Sequence, residues 1–167
     1  MNIVFLGIGT NSGNREENLK NAVDGIKERI GSVIKSSSVY ETEPWGFMTD
    51  DQFLNMVVEV ETELSPLSLL PEINNTETLL GRIRDKKQYV SRIIDIDILF
   101  YEDLIIDECS LKIPHPLMHK RRFVLVPLCE IAPEMIHPVL KMSCTSLLES
   151  CKDESKVKLF RQSDIPL

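Results

Sequence analysis

Asp95 and Asp97 stand two residues apart inside Arg92-Ile-Ile-Asp-Ile-Asp-Ile-Leu-Phe, a run otherwise built from branched and aromatic side chains. Alternate side chains of an extended strand share a face. The spacing therefore predicts both carboxylates on one side, with Ile94, Ile96, Ile98 and Phe100 on the other, towards a core. Two neighbouring carboxylates repel, and a cation normally offsets the repulsion. Mg²⁺ suits them because it takes oxygen ligands and is commonly shared with a substrate's phosphates. Taken alone, such a pair is more often the wet face of a half-buried strand.

The flanking residues supply the other half of a phosphate site. Glu77, Arg82, Arg84, Arg92, Asp95 and Asp97 form the strongest local cluster in the chain. Guanidinium groups grip phosphate oxygens through paired N–H donors and neutralise charge on a transferred phosphoryl group. The competing reading is a solvated charge run, with Arg92 a structural partner of Asp95. His115 and His119 have the i, i+4 spacing of a helical metal pair, but no third ligand accompanies them. His115 with Arg121 fits better as a phosphate-contacting pair beside a helix N-terminus, where backbone amides hold anions. Phe53 and Phe123 are candidates to clamp a flat ring, although core packing is the ordinary role of phenylalanine. Asn55 would share a strand face with Phe53 and read the ring's hydrogen-bonding edge. Gly7-Ile-Gly9-Thr-Asn-Ser12-Gly13 invites a dinucleotide-loop reading, yet its third glycine falls one residue late; a structural turn explains it better.

The elements that must position these residues follow from periodicity and breakers. A strand is expected over Ile3–Ile8, closed by Gly7, Gly9 and a turn at 11–14. A helix capped by Asn14 then carries Leu19, Ala22, Val23, Ile26 and Ile30, and ends at Gly31. Val33–Tyr40 and Phe53–Glu63 read as strands, separated by a loop with Pro44 and Gly46. Ser65-Pro66 opens a second helix that Pro71 bends or delays. After the aspartate strand, a hairpin through Glu102-Asp103 leads into Leu104–Ile106, and Leu111–Ile113 is a short strand. A helical turn starts at His115-Pro116, and Phe123–Ile131 and Cys144–Cys151 read as helices before a loose tail. The order βαββαβ matches a ferredoxin-like α+β plan, an antiparallel sheet with its helices on one face. One domain is expected over 1–167, its motifs within 1–138 and a loose C-terminal extension at 139–167.

Composition narrows the function classes. The 167 residues are 43% apolar and 27% charged, as in an ordinary globular protein. The net charge of -7 argues against a general nucleic-acid or anionic-membrane binder. Arg82, Arg84, Lys86, Lys87 and Arg92 nevertheless cluster around Asp85, and Lys120-Arg121-Arg122 forms a second basic knot. Local positive charge on an acidic chain points to a small polyanion. Cys109, Cys129, Cys144 and Cys151 show neither Cys-x-x-Cys nor zinc spacing, so reduced thiols in a cytoplasmic protein are expected. The N-terminus lacks a basic region and a long enough apolar run for a signal peptide.

In combination these segments resemble the 6-hydroxymethyl-7,8-dihydropterin pyrophosphokinase family of folate biosynthesis. The resemblance runs from Ile3 to about Pro138. It includes Leu6-Gly-Ile-Gly-Thr-Asn-Ser, Ser38-Val-Tyr-Glu-Thr-Glu-Pro-Trp-Gly, Phe53-Leu-Asn-Met-Val-Val, Leu80-Gly-Arg-Ile-Arg, Arg92-Ile-Ile-Asp-Ile-Asp-Ile-Leu, Ile113-Pro-His-Pro, Arg122-Phe-Val-Leu-Val-Pro-Leu and Glu130-Ile-Ala-Pro. It implies transfer of pyrophosphate from ATP to the pterin's hydroxymethyl group, with release of AMP. It also implies two Mg²⁺ ions on Asp95 and Asp97, with Arg82 and Arg92 sharing the catalytic work. Phe53 and Phe123 would sandwich the pterin, and Asn55, Asp95 and the Thr42, Pro44 and Trp45 segment would complete its pocket. Arg84, Arg121 and His115 would attend the triphosphate, with Glu77, Ile98 and Lys112 also on the ATP side. The loops around Trp45 and over 84–92 would be lids.

One segment departs from the family. Where its lid reads basic-aromatic-Gly-Pro-Arg, this chain has Gln88-Tyr89-Val90-Ser91-Arg92. The missing glycine and proline bear on lid motion and turnover rate, and Arg92 is retained. The rival reading is a non-catalytic nucleotide-binding domain with a decayed lid. ATP and the pterin are the expected partners, without nucleic acid or membrane, and a monomer is expected, with a weak dimer as the alternative.

Overall fold

The computed structural model describes residues 1–44, 51–82 and 93–163. Strand β1 (Asn2–Thr10) is apolar on both faces in its first half and runs through the middle of an antiparallel sheet. It is flanked by β4 (Phe53–Thr62) and β5 (Asp95–Tyr101). Strands β2 (Ser32–Ser36) and β3 (Val39–Thr42) both pair with β4; with β8 (Val157–Arg161) the order is β5-β1-β4-β3-β8, with β2 alongside β4. The expected single strand over Val33–Tyr40 is broken at Ser37. There the Ser37 hydroxyl accepts from Val57 N–H at 2.9 Å while Ser37 N–H donates to Val57 C=O at 2.9 Å. A side-chain oxygen thus stands in for a ladder carbonyl, and local bonding of this kind interrupts regular pairing.

Helix α1 (Arg15–Arg29) starts where Asn14 accepts from Glu17 N–H at 3.3 Å and its amide reaches the Glu17 carboxylate at 3.0 Å. Helix α2 (Pro66–Leu79) is capped by Ser65 and begins at Pro66, where a missing N–H costs nothing. Pro71 lies inside α2 and does not delay its start. Leu19, Ala22 and Ile26 of α1, with Leu69 and Ile73 of α2, pack on Val4, Leu6, Ile8, Val58, Val60 and Ile96.

The opposite face has its own core. Phe5, Val57, Leu99 and Phe100 meet Val124, Leu128 and Ile131 of α3 (Arg122–Ile131), and α4 (Cys144–Ser150) adds Cys144. Helices therefore cover both faces, correcting the expectation of one. The sheet's second face is nearly as apolar as its first, so it too had to be covered.

Strand β5 carries a second correction. Its pairing with β1 is regular from Asp95↔Gly9 to Ile98↔Leu6, then slips so that Phe100 opposes Phe5. Leu99 is the extra residue, and Phe100 turns onto the aspartate face while Tyr101 joins the first core. The turn after β5 is tight: Leu104 N–H donates to Tyr101 C=O at 3.0 Å, with Glu102 at φ 47°. The next strand is β6 (Ile106–Asp107), which pairs with β7 (Lys112–Ile113) in a separate ribbon and not with β5. Residues after α4 are not all loose: β8 (Val157–Arg161) extends the sheet by pairing with β3. Among the described residues no helix is long and apolar enough to cross a membrane.

Candidate active site

The second face of the sheet carries the chemistry. Across the strands, Asp95 pairs with Gly9, Gly9 with Asn55, and Asn55 with Tyr40; one step along, Asp97 pairs with Gly7 and Gly7 with Val57. Gly7 and Gly9 are thus interior to β1 and not part of a turn. Their missing side chains let neighbours lean over the strand. A Cβ on Gly9 would lie 2.8 Å from Asn55 Oδ1, and one on Gly7 would lie 3.4 Å from a Leu99 methyl. Asn55 is otherwise held by donating Nδ2–H to Thr42 Oγ1 at 2.7 Å. The signal for this role was the spacing of two, which places both glycines on the face of Phe5.

Asp95 and Asp97 share that face, as expected, but their settings differ. Asp95 Oδ1 accepts from Arg82 Nη1 at 2.7 Å and its side chain is 22% exposed. Arg82 Nη1 also binds Glu77 Oε1. Glu77 is 1% exposed and accepts from Ile96 N–H at 2.8 Å. Its carboxylate is therefore an anchor under Arg82. Burial alone would lower the Arg82 pKa, but the Asp95 and Glu77 charges outweigh it and hold the guanidinium charged. Asp97 is 43% exposed, which leaves oxygens accessible for a ligand.

His115 completes this end of the site. Its N–H donates to Leu99 C=O at 3.0 Å, and its Nδ1 accepts from Leu117 N–H at 3.1 Å. Burial first, and then the Arg121 charge, push its pKa down to about 4 against a smaller opposing pull from Asp95. The ring is thus neutral near pH 7, and with Nδ1 accepting, the proton sits on Nε2. Nε2 lies 4.0 Å from Asp97 Oδ2, too far for a hydrogen bond. The N–H is left to serve a group placed between them. His119 does not join His115. Its ring stacks edge-on against His137, 6.2 Å between centroids, so the i, i+4 metal pair is not formed.

The remaining expected residues divide into three groups. Phe53 and Phe123 are half-buried, the first on the strand face of Asn55, the second on α3 over that face. Arg121 lies 5.8 Å from the Phe123 ring centroid, and Thr42 is buried beside Phe53 in the β3–β4 ladder, with Pro44 just beyond. Two have their side chains off the aspartate face or paired elsewhere. Ile98 packs into the first core, on the face away from Asp95 and Asp97, so its backbone alone borders the site. Lys112 is ion-paired with Asp107 on the small ribbon. Trp45, Arg84, Arg92 and the segment from Gln88 to Ser91 lie outside the described residues.

Two residues with structural roles in this site escaped the sequence reading. Glu130 accepts from Ser38 N–H at 2.9 Å, Ser38 Oγ at 2.7 Å and Tyr40 Oη at 3.0 Å, tying α3 to β3. Burial and then Glu130 push the Tyr40 pKa up to about 12, which keeps its proton on that bond. Asp153 accepts from Arg122 N–H at 2.8 Å, so a carboxylate far along the chain caps the start of α3.

Comparison with known proteins places these features in context. The profile of the 7,8-dihydro-6-hydroxymethylpterin-pyrophosphokinase family matches residues 5–133. The chain is 39% identical over 160 residues to the 2-amino-4-hydroxy-6-hydroxymethyldihydropteridine pyrophosphokinase of Aquifex aeolicus, covering 96% of each. It is 41% identical over 135 residues to the enzyme of that name from Bacillus subtilis, covering 80% of each. It is also 39% identical to the folic acid synthesis protein FOL1 of Dictyostelium discoideum, spanning 21% of that longer chain. In fold it is similar to a Plasmodium falciparum HPPK-DHPS crystal structure with pteroate (TM-score 0.75, 21% identity), covering 89% of this chain and 44% of that one.

Gly9→Ala forces its methyl against Asn55, and about 1–3 kcal/mol of stability should be lost in urea unfolding. The Asn55 side-chain amide signals should also shift in NMR, whereas Gly7→Ala, facing a flexible leucine, should do less on both counts. The His115 ring should titrate near pH 4 in NMR. Because its folded pKa lies below the unfolded value, the unfolded chain binds the extra proton. The stability associated with His115 should therefore be present above pH ~6.5 and fall away towards pH 4.

Proposed function

The chain belongs to the 7,8-dihydro-6-hydroxymethylpterin-pyrophosphokinase family, a group of folate-biosynthesis enzymes, and we propose that it transfers pyrophosphate from ATP to 6-hydroxymethyl-7,8-dihydropterin, with Mg²⁺, releasing AMP. The observation that carries this reading is the row on one sheet face. Asp95 and Asp97 lie at one side with Arg82 clamped beside them, and Asn55 lies across Gly9 on the other. Phosphate chemistry and ring recognition are thus one strand apart.

The donor set suits Mg²⁺. Two carboxylates on a common face supply hard oxygens, and among the described residues no cluster of three or more ligating side chains exists. Mg²⁺ commonly takes one or two carboxylates and completes its shell with phosphate and water. When bound, it would polarise phosphate oxygens and neutralise charge as the β-phosphorus is attacked. Asp95 and Asp97 would hold it and orient the pterin hydroxyl in line, and Asp95 would receive the proton.

The other residues act on charge and position. Arg82, with Arg84, Arg92 and Arg121, would spread the charge on the departing AMP. Neutral His115 would donate Nε2–H to a phosphate oxygen without adding a charge of its own. Phe53 and Phe123 would hold the pterin ring, and Asn55, fixed by Thr42, would read its edge. Glu77 would serve the ATP side by holding Arg82 in position. Every residue named comes from one chain, so a monomer suffices. We also read the fold as a ferredoxin-like βαββαβ core, with β2 and β3 counted as one interrupted strand.

Incubation with Mg·ATP and the hydroxymethyl-dihydropterin should yield AMP and the pterin diphosphate; formation of ADP, or no nucleotide product, would sink the assignment. Asp97→Ala should lower the rate at least about a hundredfold. Its circular dichroism and melting temperature should stay close to wild type, because Asp97 is one of the more exposed residues of the site.

A further inference from the structure

Residues 152–161 lie beyond the span matched by the family profile, yet they touch one wall of the candidate pterin slot and the strand paired beside the other. One wall is the start of α3, which carries Arg121 and Phe123. Arg121 occupies the cap position and makes no side-chain capping bond. The missing cap comes from far along the chain: Asp153 Oδ2 accepts from Arg122 N–H at 2.8 Å, and Asp153 Oδ1 accepts from Ser155 N–H at 3.0 Å. Both oxygens are thus fixed, and the negative charge lies at the positive end of the helix. Burial would raise the Asp153 pKa, but the Ser155 and Arg122 hydrogen bonds and the Arg122 charge bring it below the usual value.

The other wall is β4, which carries Phe53 and Asn55, and β3 is the strand paired beside it. Strand β3 is only four residues long and would be a sheet edge without β8. Val157 pairs with Thr42, Lys158 with Glu41 and Leu159 with Tyr40. Thr42 is the residue that holds Asn55. Four peptide links from Asp153 to Val157 therefore connect the residue before Phe123 to the ladder that orients Asn55. At the far end of α3, Glu130 binds Ser38 and Tyr40. Helix and strand are joined at both ends, and the slot lies between them.

We infer that Asp153 and β8 form a brace that sets the separation of the Phe123 and Asn55 walls, with Asp153 a positioning residue for pterin recognition. This rests on the pterin assignment above. Losing one helix cap weakens local structure by an amount that converts to roughly tenfold in an equilibrium. Phe123 is one of two rings assigned to the pterin, whereas Arg121 is one of four arginines assigned to ATP. The loss should therefore fall mainly on the pterin.

The test uses the full chain with Asp153→Ala and Asp153→Asn, reading pterin Kd by direct titration together with KM for each substrate and kcat. Asp153→Ala should raise pterin Kd and KM about tenfold, ATP KM no more than about threefold, and leave kcat at saturation close to wild type. Asp153→Asn keeps an acceptor at the cap and should return pterin KM to within about threefold of wild type. Should Asp153→Ala not fold, Asp153→Glu carries the same test, since one extra methylene displaces the start of α3 while keeping the charge. Unchanged pterin affinity, or equal loss for both substrates without rescue by asparagine, would overturn the brace. If wild type made no AMP but Asp153→Ala still weakened pterin binding, the brace would stand and the proposed reaction would fall.

Discussion

A single buried carboxylate governs this end of the molecule. Taking Glu77 out of water costs several kcal/mol unless the charge is matched and its oxygens are bonded. Ile96 N–H and Arg82 supply both. The arrangement fixes the end of α2 against β5, since one partner is strand backbone and the other follows the helix. It also leaves Arg82 with a direction: the same nitrogen that meets Glu77 reaches Asp95. A guanidinium so held is already ordered before any anion arrives, and pre-ordering is where much of an electrostatic site's advantage comes from.

The rest of the site depends on a sheet that is apolar on both faces yet bare at two points. Phe5, Val57 and Leu99 require a cover, which α3 provides, and α3 brings Phe123 and Arg121 with it. Gly7 and Gly9 interrupt that apolar surface in its central strand. The cover stops short at the aspartates, and ligand-binding polar groups can occupy a face that would otherwise be closed core.

Legibility in the sequence followed the range of the interactions. Elements with local signals were found closely: α1 through its Asn14 cap, α2 through Ser65-Pro66, β4 and β5 through alternation. The shared face of Asp95 and Asp97 came from strand geometry alone. What failed was non-local. The break at Ser37 needs Val57, the cap of α3 needs Asp153, and the burial of Glu77 needs Ile96. The second helical layer has no local signal, because one face of β1 is half apolar and half glycine, and glycines at a strand's end read as a turn. Family resemblance named the residues of the site, but the buried partners of Glu77 and the core packing of the Ile98 side chain became visible only in the fold.

The extra residue at Leu99 gives β5 two phases. Up to Ile98 the strand's facing is set by the glycine half of β1, and beyond it by Phe5 and by the Tyr101 hydroxyl, which donates to Leu64 C=O at 2.6 Å. In a strand of single phase, a one-residue change of length beyond the site would turn every side chain over and send the aspartates into the core. Here the slip at Leu99 is a place where such a change is absorbed. Asp95 and Asp97 thus keep the facing set by Gly7 and Gly9, whatever phase Phe100 and Tyr101 need beyond them.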